Sequence, residues 1–191
     1  MNKLMRRRRA LIGQNGAETS ILPSEYQQAA WIGFSGAQRL CIPEPVSYRT
    51  NDTVSACYLQ TDAAKSCFIV GVLAYSNSEN DWSIQTHSGS MTTRFFNLGN
   101  CGFVNEGEYT FAHGEILAVN SRTFNIGSRG LANTAFVGRI KYVRIQRDGE
   151  LVYNFVPCVR KSDSVIGMYD TVTETFFTNV GTGDFTKGEN V

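Results

Sequence analysis

Three pairs of acids sit one residue apart in this chain: Glu106 with Glu108, Glu79 with Asp81, and Asp148 with Glu150. Residues at i and i+2 of a strand share a face. Two carboxyl groups held about 5–5.5 Å or about 6.5–9.5 Å apart are what retaining and inverting glycosidases use. Each pair also has a plainer reading. Asp148 and Glu150 flank a glycine at a hairpin tip, Glu79 and Asp81 lie in an Asn/Ser-rich loop, and Glu106 and Glu108 flank Gly107 where a strand begins. All three pairs read best as solvated surface acids. Nucleophilic triads need a histidine, and the two present, His87 and His113, stand beside Ser88 and Gly114 in expected turns, outside any nucleophile-elbow context. Gly181-x-Gly183 lacks the third glycine and the following helix of a dinucleotide fingerprint. The expectation is a protein that is not an enzyme.

Binding chemistry has better candidates. Saccharide sites place an aromatic platform beside amide and carboxyl groups, and Asn80-Asp81-Trp82 offers that combination, with Tyr48 and Asn51 next. Against it, a tryptophan opening a strand belongs more readily to a core. Residues 77–81 also carry the oxygens that a rim calcium site would use, but without EF-hand spacing, so no cofactor is expected and calcium is the one metal left open. The five cysteines (Cys41, Cys57, Cys67, Cys101 and Cys158) are odd in number and never at C-x-x-C spacing. They read as small buried apolar residues of a chain made in a reducing cytoplasm, not as zinc ligands.

Charge is distributed unevenly. Lys3 and Arg6, Arg7, Arg8 and Arg9 put five cations in the first nine residues, leaving 13 basic against 17 acidic residues beyond them. The body is therefore not a basic nucleic-acid surface; only the arm has that charge. Met1, Leu4, Met5, Leu11 and Ile12 are spaced to suit one helix face. Twelve residues are marginal as an isolated helix, so order is expected only on docking. Docking on a partner protein is favoured for Leu4, Met5, Arg6 to Arg9, Leu11 and Ile12, ahead of a solvated tail or phosphate binding. With no aromatic residue to insert and only four clustered arginines, membrane attachment is not expected. Gly13 to Ser20 reads as a linker, so residues 1–20 form arm and linker, and residues 21–191 the domain. The charged start is followed by no apolar run, and no stretch reaches the ~18 apolar residues of a membrane span. Neither secretion nor a span is expected.

The elements that must position these groups are strands. Hydrophobic residues make up 42% and charged residues 18%, which suits a globular chain. With 12 Phe, 8 Tyr and 18 Gly, strands with tight turns are favoured over helices. Strands are expected at 31–34, 39–42, 54–59, 66–75, 82–86, 93–98, 107–112, 115–119, 122–126, 135–146, 151–157, 165–169 and 175–178, with a turn or short helical start at 23–25. No segment of the body keeps a helical period. Asp148-Gly149 between two strand-like runs is a strong hairpin signal, because both residues accept positive φ. A plain two-residue turn sets Arg147 opposite Glu150, Ile145 opposite Val152 and Tyr142 opposite Phe155. Tyr142, Tyr153 and Phe155 would then share one face, and Val143, Ile145 and Val152 the other. With apolar residues on both faces, the hairpin is expected at the centre of its sheet. Many short strands with regular turns give the fold class: all-β, a two-sheet antiparallel β-sandwich.

Two segments are more specific. Residues 22–38 read LPSEYQQAAWIGFSGAQ, and residues 138–188 include FVPC, GMYD and GTG. Leu22, Pro23, Glu25, Tyr26, Ser35, Gly36 and Gln38, then Phe155, Val156, Pro157, Cys158, Gly167, Tyr169, Asp170, Gly181, Thr182 and Gly183, carry the pattern. Together they resemble a laminin-G-like (concanavalin A-like) jelly-roll family common in bacteriophages and prophages. The matched segments cover about a third of the chain and bracket its body; residues 43–125 match weakly. The resemblance implies a jelly roll in a virion-associated or surface-binding role, made in the host cytoplasm. Its implied partners are other virion proteins through the arm and a host surface glycan through the domain; it names no ligand and does not count subunits, leaving a homo-oligomer open. The residues themselves suggest structural work: a tight turn at Ser35-Gly36, a ladder ended at Pro157, a bend at 181–183, and an Asp170 that accepts backbone N–H groups.

Overall fold

A computed structural model describes residues 21–45, 53–62, 67–72, 82–87, 90–95, 107–112, 123–128 and 135–191. Among these residues there is no helix, and fourteen strands form two antiparallel sheets packed as a β-sandwich. The strands are β1 (Tyr26–Gln28), β2 (Ile32–Ser35), β3 (Leu40–Pro45), β4 (Thr53–Gln60), β5 (Cys67–Val72), β6 (Trp82–His87), β7 (Ser90–Phe95), β8 (Gly107–Ala112), β9 (Thr123–Ile126), β10 (Val137–Arg147), β11 (Glu150–Arg160), β12 (Val165–Asp170), β13 (Thr175–Thr178) and β14 (Thr186–Lys187). The small sheet runs β3-β9-β5-β6-β7, and the large sheet holds the other nine strands around β10 and β11.

The long β10–β11 hairpin organises the large sheet. Asp148 (φ 49°) and Gly149 (φ 81°) form the expected positive-φ turn, and Arg147 pairs with Glu150. Behind the tip the register departs from the plain two-residue expectation. Ile145 faces Tyr153 and Val143 faces Phe155, because an irregularity beside Gln146 and Leu151 leaves Val152 as an extra residue. Val143, Ile145 and Phe155 therefore share the buried face, while Tyr142 is half-exposed. Beyond this stretch the two strands part: β11 takes β1 as its neighbour, β10 takes β2 on that edge and β4 on the other. The hairpin is central, as its two apolar faces require.

Pro157 does not end the ladder, as the sequence suggested; β11 continues to Arg160, and Pro157 pairs with Met168 of β12. Its carbonyl accepts from the Ala29 amide at 3.0 Å. In a strand a residue's N–H and C=O point to the same side, so the missing N–H falls where β11 changes neighbour from β10 to β1, and the β12 ladder loses nothing. β1 and β14 were not expected from the sequence, being only three and two residues long. Residues 23–25 form a turn closed by the Tyr26 amide on the Pro23 carbonyl, 3.0 Å. His87 is the last residue of β6, opposite Ser90, not a turn residue. The strand expected at 115–119 lies outside the described residues.

The core between the sheets holds Ile32, Phe34, Tyr58, Ile140, Val143, Ile145 and Phe155 from the large sheet and Leu40, Ile42, Ile69, Val70, Phe124 and Ile126 from the small one. Each such side chain contributes about 1.5–3 kcal/mol by leaving water. A second cluster, Leu22, Val156, Cys158 and Tyr169 with Tyr26 and Phe176, covers another part of the large sheet.

Candidate functional site

The residues of the N- and C-terminal motifs meet in space. The Gln38 side chain is buried; its Oε1 accepts the Ser35 amide at 2.8 Å, and its Nε2 donates to the Asp184 carbonyl at 2.9 Å and to Ser35 Oγ at 2.9 Å. The Thr182 amide donates to the Ala37 carbonyl and the Val180 amide to the Arg39 carbonyl. Gly181 packs directly on the Ala37 carbonyl, where any Cβ would collide. The Tyr26 ring packs at a tilt against Tyr169 and Phe176, ring centroids 4.8 and 5.1 Å apart. Asp170, fully buried, accepts from the Asn154 amide (2.7 Å), the Val172 and Thr173 amides (3.2 Å each) and the Thr173 hydroxyl (2.6 Å). The structural role expected for Asp170 is the one it has.

A groove opens on the outer face of the large sheet beside this closure. Strand alternation turns Ile32, Phe34 and Ile140 inward, so Trp31, Gly33, Ser35 and Arg139 face outward. The half-exposed Trp31 ring packs on Gly188, whose Cβ would stand 2.6 Å from the indole nitrogen, and beside Gly33, whose Cβ would stand 3.0 Å from the ring. Gly33 pairs with Arg139 across β2 and β10, and the Arg139 guanidinium lies 4.4 Å over the indole centroid. Two lobes meet at this stack. One, about 250 Å³, is bounded by Ser35, Thr61, Asp184 and Thr186; the other, about 300 Å³, by Ala30, Cys57, Leu59 and Lys141. The second of these is at the lower bound of ligand pockets, about 300–1,000 Å³.

Lys141 lies two residues along β10 from Arg139 and shares its outward face. Ile140 pairs with Tyr58 but Tyr142 with Cys57, so Lys141 is the extra residue of a bulge in β10. Alternation alone leaves Arg139 and Lys141 both exposed; what the bulge re-aims is Val143, which returns to the buried face shared with Ile140. Tyr142 carries the Arg144 guanidinium 4.0 Å over its ring. Gln38, by holding Ser35 and the Asp184 backbone together, fixes the opposite end of the groove.

Of the binding and arm candidates proposed from sequence, only Trp82 lies among the described residues. Tyr48, Asn51, Asn80 and Asp81, arm residues Leu4 to Ile12, and Glu79, Glu106 and His113 lie outside the described residues. Trp82 opens β6, paired with Val72 and Phe95. Asp148 and Glu150 stand at the hairpin tip, and Glu108 lies in β8 opposite Cys57. Among the described residues no group of three or more His, Cys, Asp or Glu side chains is gathered to hold a metal.

No family model, curated protein or solved structure matches the chain.

The groove was missed in the sequence because its halves are far apart along the chain. Alternating charge in Arg139-Ile140-Lys141 was a readable sign of an outward face; that Trp31 would lie against it was not.

Proposed function

We propose that the chain is a non-enzymatic, virion-associated accessory protein of a bacteriophage, such as a head-fibre, decoration or tail-associated subunit. Its arm anchors it to other virion proteins, and its laminin-G-like sandwich is displayed. The observation that carries this reading is the Gln38 closure. The residues on which the phage-family resemblance rests pack, cap or bridge the two ends of the body, with Gln38 joining the Ser35 turn to Asp184. Their contacts are those of a framework that closes the body. Deleting residues 1–20 should leave a folded, monodisperse protein that no longer joins virions. Full incorporation of the truncated form would remove the anchoring role.

A second reading, a carbohydrate or cell-surface receptor-binding module, is supported by the Trp31–Arg139 groove, which sets an aromatic ring among hydroxyl, carboxyl and cationic groups. The two readings are compatible in one protein.

A further inference from the structure

We propose that the Trp31–Arg139 groove binds a short acidic saccharide, a chain of uronic-acid type, through its sugar hydroxyls and its carboxylate. The proposal rests on the receptor-binding reading and adds the chemical class of the ligand.

The charge of the groove selects this class. Arg139 and Lys141 are both exposed on one stretch of β10. Neither has a carboxyl partner among the described residues, and the one ion pair found there joins Arg160 to Asp163. Arg139 is instead laid on the indole, which restricts the guanidinium and leaves its N–H fork for a carboxylate. Lys141, two residues along the same strand face, adds a second cation to the same lobe. The Trp31 ring, backed by Gly188, is the platform that holds the Arg139 guanidinium in place. Ser35, Thr61, Thr186 and Asp184 in the other lobe supply partners for sugar hydroxyls.

The size and net charge of the body argue for a short ligand over a nucleic acid. Beyond the arm the chain holds more acids than bases, 17 to 13. Binding along a phosphate backbone relies on many cationic contacts, whereas one carboxylate needs the two that this lobe provides.

The test is titration calorimetry of the full chain with oligogalacturonate, with its carboxyl-reduced neutral form, and with oligo-dT. The acidic oligosaccharide should bind at least about tenfold more tightly than the neutral one, and Arg139→Gln and Lys141→Gln should each weaken it about tenfold, the scale of one charge-assisted hydrogen bond. Both substitutions are at exposed positions, and unchanged thermal unfolding confirms that the variants fold. Trp31→Phe keeps a ring and should retain part of the binding. Equal affinity for acidic and neutral forms, unmoved by Arg139→Gln, overturns the acidic class and leaves a receptor site standing. Tighter binding of oligo-dT overturns it in favour of nucleic acid. Absence of binding to every probe overturns both the ligand class and the receptor reading, while virion incorporation remains a separate measurement.

Discussion

Asp170 has no solvent exposure, and its two oxygens take four donors from two stretches of chain, Asn154 and Val172 with Thr173. An amide in its place turns an N–H₂ group toward donors. Asp170→Asn is therefore expected to cost about 2–3 kcal/mol, the range for buried hydrogen bonds left unmet, read as a lower urea midpoint at unchanged m-value. Gln38 makes a sharper case, because it needs both of its polar atoms: Oε1 for the Ser35 amide, Nε2 for the Asp184 carbonyl. Gln38→Glu leaves two carbonyl-side acceptors facing each other and should destabilise at pH 7 by about 1–3 kcal/mol, with part of the loss recovered at acidic pH where the introduced carboxyl regains a proton. The sequence pointed to Asp170 as structural, whereas Gln38 stood out only as one of the residues that carry the resemblance. It could not show that Gln38 reaches Asp184, since that bond joins opposite ends of the body.

At the scale of the element, the β10–β11 hairpin separates what local chemistry settles from what packing settles. Asp148-Gly149 dictated the turn, and the positive φ of Gly149 leaves open space around the position a Cβ would take. Gly149→Ala should therefore cost only the backbone strain, about 1–2 kcal/mol. Gly138, farther along β10, would drive a Cβ into the Leu59 carbonyl and the Phe136 ring. Gly138→Ala should cost clearly more than Gly149→Ala, and equal thermal shifts for the two would contradict the close approach of β10 to β4. The register behind the turn escaped the sequence. Tyr142, Val143, Val152 and Tyr153 are all apolar enough for either face, so alternation was ambiguous, and the core chose Val143, Ile145 and Phe155.

The whole molecule responds to pH through the second apolar cluster. Burial pushes the Cys158 thiol up to about 12 from an ordinary 9.0. Burial likewise raises Tyr26 and Tyr169 above their usual 10.0, with nearby acids adding to the effect. A group whose folded pKa is raised keeps the folded state more protonated than the unfolded one, so stability falls as pH rises. The contribution is whole below about pH 9 and is lost between about 9 and 12. Thermal unfolding should shift steadily downward over that window, and Cys158→Ser should shrink the slope. A flat profile from pH 8 to 11 would contradict the burial of these three groups. The same burial predicts that Cys158 resists alkylation in the native protein at pH 8 and reacts on unfolding, which mass spectrometry can follow.

Composition and turn chemistry were enough, by themselves, to settle an all-β body, most of its strands, the central hairpin and the structural work of Asp170, because those properties depend on residues close together in the chain. Tertiary structure alone decided the rest. It brought β1 and β14 into strands, since two or three residues become a strand only when a neighbour supplies the hydrogen bonds. It made Pro157 harmless by placing its missing donor where β11 changes partners. It also laid Trp31, the residue before β2, beneath Arg139 of β10, joining residues from the two ends of the body into one groove that no local pattern encodes.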